Sequence, residues 1–383
     1  MENVVIVSAK RTPIGKFGGS LSKLKATELG RHAIDGLFKD VEVDRRDVDL
    51  VIMGNVLQAG LGQNPARQAA ISANIPLHVP AFTVNEVCGS GMKAIHLGMQ
   101  SIMLGESKVV VVGGFENMSQ APYLLKNARY GAKYNNLEAI DSMYHDGLMD
   151  IYSEKAMGLT AENVAKKHEI SRLEQDEYAY RSQKLATQAT KEGKFKKEIV
   201  SIGTLAQDES IRNDTTMEKL SSLRPAFDKE GTITAGNAST INDGSAALLL
   251  MSESEALAKG IDILAYLDGY VEIGNDPDYM GYAPYYAIRA LYEKMEVSDE
   301  EIDFYEINEA FASQTLAVIK DLKLDIDKVN RLGGAIALGH PIGASGARIV
   351  VSLVHQLKSQ EKAIASLCIG GGMGSALLVS KGE

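Results

Sequence analysis

Four short stretches of this chain hold side chains that could do chemistry, and the first is built around Cys88. The run Val84-Asn85-Glu86-Val87-Cys88-Gly89-Ser90-Gly91-Met92 follows a β-type segment, Ala81-Phe82-Thr83-Val84, and precedes a helical pattern from Lys93 to Met103. Cys88 is therefore expected at a strand-to-helix turn, near a helix N-terminus. Free N–H groups and the macrodipole favour negative charge there, which lowers a thiol's pKa and makes thiolate more available. Gly89 and Gly91 are expected to let the backbone turn sharply and leave the sulfur approachable. A lone cysteine is more often a small buried hydrophobe, so its reactivity has to be argued from other parts of the chain. Three more loops at strand ends supply the partners. Asn308-Glu309-Ala310-Phe311 follows a strand ending at Ile307, His340 closes the stretch from Gly333 to Pro341, and Cys368 opens Cys368-Ile369-Gly370-Gly371-Gly372-Met373-Gly374. Each is weak alone; a thiol, an imidazole, an amide and a second thiol on four loops make a constellation.

The elements that must position these loops repeat along the chain. Val48–Met53 is echoed by Ile302–Ile307, the Cys88 turn by the stretch from His340 to Gly346, and Lys108–Gly114 by the stretch from Lys362 to Gly371, at offsets of 252–254 residues. Three echoes in register indicate a duplicated α/β half whose buried strands read as short apolar runs. Between the halves, residues 118–239 differ in character. Ser171-Arg172-Leu173-Glu174 reads as a capping box, Gln175 to Glu192 as a helix and Gly193 as its stop. This segment holds 17 basic and 18 acidic residues, so almost all of the net charge of −10 lies outside it. A less acidic lobe tolerates an anionic ligand best, although a solvated helical cap would have the same composition. The stretch from Ala235 to Gly244 then returns the chain to a strand, Ser245 to Met251.

Composition narrows the class. The chain has 383 residues, 45% of them hydrophobic and 23% charged, as expected of a soluble globular protein of two to three domains. Two cysteines cannot make a disulfide scaffold, which points to a reducing compartment, the cytoplasm. The start, Met1 to Val7, has only four consecutive apolar residues and reads as a strand, not a signal peptide. No apolar run approaches the ~20 residues of a membrane span. The acidic balance argues against nucleic acid and anionic membranes as partners.

Taken together, the four loops resemble the thiolase family, and the resemblance runs nearly end to end. Its motifs are the Asn-Glu-Val-Cys-Gly-Ser-Gly-Met stretch at 85–92, Asn-Glu-Ala-Phe at 308–311, the His340 glycine loop, and Cys-Ile-Gly-Gly-Gly-Met-Gly at 368–374. Arg11–Gly15, Gly62–Gln68, Thr160–Ala165 and the Ala235–Gly244 run support it. The resemblance implies an α/β fold: a five-layer αβαβα core from two βαβαβαββ halves, with an inserted, mainly helical loop domain over coenzyme A (CoA). The expected division is 1–117 with 240–265 for the N-terminal half, 118–239 for the loop domain, and 266–383 for the C-terminal half.

The resemblance also implies a reaction. Cys88 would attack the thioester of acetyl-CoA, with His340 taking its proton. Cys368 would then remove a methyl proton from a second acetyl-CoA, and the carbanion would attack the acetyl group to give acetoacetyl-CoA and CoA. Run backwards, the same residues perform thiolysis. Two cysteines suit the work because one is nucleophile and the other exchanges a proton, in environments that set their pKa values apart. His340 and a water held by Asn308 would bind one thioester oxygen, and the N–H groups of Cys88 and Gly370 the other. Ser239 matches the serine that contacts the pantetheine arm; Leu148, Met157, Phe227, Met280 and Phe311 match positions at the acyl pocket, and Arg224 is a candidate for the nucleotide end. The bulky Met and Phe side chains favour a two-carbon acyl group. No metal or cofactor is implied, since CoA thioesters are substrates, and a homodimer or homotetramer is expected. One position departs from the pattern: Ala156 stands where biosynthetic members often carry His before Met-Gly, so a water-mediated contact to pantetheine is expected to be lost, which bears on CoA affinity and not on the reaction. The resemblance thus favours an acetyl-CoA C-acetyltransferase, working in the condensing direction for a mevalonate-type or ketone pathway. The alternatives are a degradative 3-ketoacyl-CoA thiolase of broader chain length and a non-catalytic acyl-CoA-binding protein. A β-ketoacyl-carrier-protein synthase shares the glycine-rich His loop but lacks a second catalytic cysteine such as Cys368.

Overall fold

In the computed structural model, which describes residues 2–382, the duplication is visible as two copies of one chain path. The first runs β1 (Val4–Arg11), α1 (Ala26–Leu37), β2 (Leu50–Gly54), α2 (Pro65–Ser72), β3 (Ala81–Val84), α3 (Ser90–Met103), β4 (Val109–Asn117) and, after the inserted segment, β5 (Asn242–Ser252). The second runs β6 (Ala265–Gly274), α6 (Ala283–Met295), β7 (Phe304–Ile307), α7 (Ala312–Leu322), α8 (Ile342–Gln356), β8 (Lys362–Ile369) and β9 (Met373–Ser380). Where the first copy has β3, the second has a single bridge between Tyr305 and Val329. The insert contributes α4 (Met157–Lys167) and α5 (Arg172–Lys191). Ser171 and Glu174 form the capping box that the sequence shows at the start of α5.

The strands lie in the order β7-β8-β9-β6-β1-β5-β4-β2-β3. Each copy keeps parallel pairs toward its outer edge (β2 with β3 and β4, β7 with β8) and antiparallel pairs inside. The two sheets meet where β1 and β6 pair over two positions, Val5 with Tyr266 and Ile6 with Ala265. The strand period of two then sorts side chains into separate cores. Val4 and Ile6 join the central core with α3 and α8, whereas Val5 and Val7 face α1 and α2. On the far side, α6 and α7 cover β7, β8 and β9. The layers are α1/α2, sheet, α3/α8, sheet and α6/α7, a five-layer αβαβα core.

The middle layer places the site. Every residue of α8 from Ile342 to Val354 is buried, Arg348 and two serines among them, as befits a helix with apolar residues on every face. It approaches α3 closely: a Cβ on Gly91 would stand 2.7 Å from Ala347 N, and one on Gly346 would stand 2.5 Å from Met92 N. Both contacts lie within the first two turns, so both helices begin side by side. The loops before them, carrying Cys88 and His340, therefore open at the same end of the layer.

Candidate active site

Cys88 sits at the predicted strand-to-helix turn, one residue before the Gly89 cap of α3. The turn itself differs from the expectation. Gly89 is right-handed, with φ −74°, and Val87 takes the positive value, +47°. For a β-branched residue that is a strained conformation, held here by hydrogen bonds on both sides: Val87 N donates to Asn85 Oδ1 at 3.0 Å and Ser90 N to Val87 O at 3.1 Å. Gly89 is needed for space instead, because a Cβ there would stand 2.5 Å from Ile369 Cδ1.

The thiol's acidity also runs against the expectation. Burial pushes the Cys88 thiol up to about 11, despite the N–H groups of Gly370 and of Cys88 itself, which favour thiolate; the Glu116 carboxylate adds to the rise. The desolvation cost of a charged sulfur outweighs the helix terminus. Glu116 is buried under this turn, accepting from Val56 N, Leu57 N, Gly343 N and the Asn55 amide. The resting nucleophile is a thiol at neutral pH. Its alkylation by iodoacetamide is thus expected to accelerate by about tenfold per pH unit between pH 7 and 10, as the thiolate fraction grows. A rate that is flat across this range would show a thiolate already formed.

His340 opens onto the same cavity, about 710 Å³ in volume, which is lined also by Cys88 and Gly370. Its Nδ1 lies 2.5 Å from Ser345 Oγ, and that hydroxyl donates to Pro341 O at 2.9 Å. A hydroxyl has one proton to give; with it on Pro341 O, Nδ1–H is the donor to Ser345. This leaves Nε2 with its lone pair, the form a base needs. Burial, followed by the positive charge of Arg348, lowers the imidazole to about 3, so His340 is neutral at pH 7. The resting pair is an uncharged thiol and imidazole, and proton transfer has to accompany attack on the substrate.

The second thiol and the amide lie behind the cavity wall. Cys368 is buried with Ala161, Ala238, Met280 and Phe311, and Met157 packs against this group. Its thiol donates to Gln314 Oε1 at 3.1 Å, and burial plus the neighbouring Cys88 raise it well above the ordinary cysteine range. Asn308 N donates to Ser366 O at 2.9 Å, and its side chain accepts from Arg348. Its Nδ2 is buried and has no hydrogen-bond partner among the described residues. A Cβ on Gly370 would stand 3.0 Å from Val87 Cγ1 and 3.1 Å from Met157 Cε, so glycine lets that N–H come close to the Cys88 sulfur.

Of the pocket residues read from the sequence, Ser239, Leu148, Met157, Phe227, Met280 and Phe311 all line the cavity, as does Ala156. Arg224 does not; the arginine in the lining is Arg212. Arg212 sits exposed on an irregular stretch, and its N–H donates to Gln183 Oε1 at 2.7 Å. No local pattern distinguishes Arg212 from Arg224; Arg212 lines the cavity on a stretch held against α5 by its bond to Gln183. Ser345 and Gln314 were also missed. Each follows its motif on the first turn of a helix, but Ser345 meets His340 five residues away and Gln314 meets Cys368 fifty-four residues away, so no local spacing marks either.

A cysteine thiol faced by two backbone N–H groups, with a neutral imidazole on the same cavity, is the equipment of covalent acyl transfer. Comparison with known proteins agrees. The family model "Thiolase, N-terminal domain" matches residues 4–254, and "Thiolase, C-terminal domain" matches residues 261–381. A probable acetyl-CoA acyltransferase of Staphylococcus aureus is 50% identical over the whole of both chains. The crystal structure of the Bacillus anthracis acetyl-CoA acetyltransferase is 47% identical, with a TM-score of 0.96 over 99% of this chain and 98% of that one. Human mitochondrial 3-ketoacyl-CoA thiolase in complex with CoA is 43% identical, with a TM-score of 0.97 over 100% and 98%. The chain belongs to the thiolase family and is an acyltransferase.

Proposed function

We propose that the protein is an acetyl-CoA C-acetyltransferase, joining two acetyl-CoA to acetoacetyl-CoA and CoA through an acetyl group on Cys88. The observation that carries this reading is the pairing of two N–H groups on the Cys88 sulfur with the free Nε2 of His340 on one cavity. As sulfur attacks the thioester carbon, its proton passes to His340 Nε2. The CoA sulfur leaves with the proton of Cys368, whose thiolate then takes a methyl proton from the second acetyl-CoA. The resulting enolate attacks the acetyl carbonyl, and Cys88 leaves and recovers its proton from His340. Protons balance over the cycle, and each cysteine ends as it began. A raised thiol pKa at Cys368 suits this, because a strongly basic thiolate is what a carbon acid requires.

Met157, Met280, Phe311 and Leu148 line the cavity that Cys88 opens onto, and their bulk supports a two-carbon acyl group. Residues 118–239 act as the lobe that covers CoA, with Ser239 toward the pantetheine arm and Arg212, in place of Arg224, near the anionic end. The likeness to a 3-ketoacyl-CoA thiolase supports a second reading, thiolysis of longer chains. Rates on acetoacetyl-CoA and on a long-chain 3-ketoacyl-CoA separate the two. The proposal expects a preference for the four-carbon substrate of at least about tenfold, since each excluded methylene is worth roughly 1–3 kcal/mol. Equal or faster cleavage of the long chain would contradict it. No described helix is long and apolar enough to cross a membrane. The two free thiols support a cytoplasmic setting, and a homodimer or homotetramer remains part of the proposal.

A further inference from the structure

Two arginines are buried in the core, and their surroundings differ. Arg11 is saturated: Nε donates to Glu198 at 2.7 Å, and Nη1 and Nη2 donate to Asp208 at 2.7 and 2.9 Å. A charge caged in this way is structural. Arg348 has no such cage. Its nearest carboxylate, Glu306, is 3.8 Å from Nη1. Its hydrogen bond runs from Nη2 to Asn308 Oδ1 at 3.5 Å, and Nε and Nη1 have no acceptor among the described residues. It is also the one charged side chain in the buried run of α8 from Ile342 to Val354. The other acidic groups within electrostatic reach are Glu198 and Glu309. Glu198 already binds Arg11, and Glu309 accepts from Tyr178, Ser182 and Asn330. Glu306 is itself raised to about 7 by burial, so it neutralises the guanidinium only in part at neutral pH.

Leaving a buried guanidinium so poorly paired is costly, and what it does face is the site. A donor on Asn308 Oδ1 fixes which way the amide points, so the unpartnered Nδ2 is turned away from Arg348. His340 lies in the field of the same charge. We infer that Arg348 is a positioning residue for carbon–carbon bond formation: it holds the Asn308 amide and places a buried positive charge behind the oxygen that turns negative in the enolate of an acyl-CoA thioester. The inference rests on the condensing reading of the site. The charge opposes protonation of His340 in the first half-reaction and stabilises the oxyanion in the second, so the two half-reactions respond to its loss in opposite senses.

The test is a comparison of Arg348→Met, Arg348→Lys and Glu306→Gln with the wild type, measuring acetyl transfer to Cys88 and condensation separately. Arg348→Met is expected to acetylate at a rate within about threefold of the wild type or faster. Its condensation kcat is expected to fall by about 10- to 100-fold with little change in KM. Arg348→Lys keeps the charge without the planar fork and should fall between the two. Glu306→Gln leaves the cation in place and should condense within about threefold of the wild type. Equal losses in both half-reactions for folded Arg348→Met, or a Glu306→Gln defect as large as that of Arg348→Met, would reveal a structural ion pair and overturn the inference. Should Arg348→Met not fold, the same split between half-reactions is read in Arg348→Lys, and its absence there is equally decisive. A wild type that forms neither acetyl-Cys88 nor acetoacetyl-CoA would overturn the functional reading itself, and this inference with it.

Discussion

Replacing Cys88 by Ala is expected to abolish acyl transfer, by about four orders of magnitude or more, while the protein folds as before. The effect is this large because the acetyl group has no other acceptor: Ser90 at the same turn is fully buried, and its hydroxyl already donates to Val87 O at 2.6 Å. The fold should tolerate the change because the Cys88 thiol is met by backbone N–H groups, its own and that of Gly370, which do not depend on it for their place. Binding of CoA, measured by calorimetry, should survive within about threefold, since acetyl transfer and not recognition is lost. Residual turnover above about one percent of the wild type would place the nucleophile elsewhere.

Cys368→Ser is expected to separate the two half-reactions. Acetyl transfer to Cys88 should proceed, because the nucleophile and His340 are untouched and the CoA sulfur, a good leaving group, can take its proton from water in place of Cys368; the acetyl-enzyme should then accumulate. Condensation should fall by about 10²- to 10⁴-fold, since a serine hydroxyl is too weak an acid to serve the carbon proton reversibly. The substitution suits the site sterically, and the hydroxyl can still donate to Gln314 Oε1 as the thiol does at 3.1 Å. In the thiolysis direction the leaving enolate would go unprotonated and acetoacetyl-CoA would persist. If Cys368 is packing alone, Ser should support near-normal rates both ways, because the two side chains are close in size. Rapid-quench measurement of acetyl-enzyme and condensation rate on one preparation distinguishes these outcomes.

Much of the architecture was legible in the sequence because duplication leaves a register. The echo of Val48–Met53 in Ile302–Ile307, which mark the strands Leu50–Gly54 and Phe304–Ile307, survives because buried strands must stay short and apolar. The Ser171 capping box was equally plain, as a local signal with a local cause. What escaped depends on contacts between distant parts of the chain. The strain at Val87 was hidden because the neighbouring glycines are the residues a turn would ordinarily use, whereas Ile369, from the other half, takes the space beside Gly89. The thiol's raised pKa was hidden for a similar reason. Position at a helix terminus can be read from local pattern, but the burial that outweighs it comes from folding the two halves together. Nothing in the local pattern singles out Arg348, and only the all-round burial of α8 shows a guanidinium in the core.

The account turns on an acetyl group carried by one cysteine, and a single measurement addresses it. The protein is mixed with acetyl-CoA, quenched in acid within milliseconds, digested and examined by mass spectrometry. The predicted result is acetylation of the peptide that bears Cys88, none on the peptide that bears Cys368, and loss of the adduct when CoA is added before the quench. An adduct confined to Cys368, or acetoacetyl-CoA formed with no adduct on either cysteine, would contradict it.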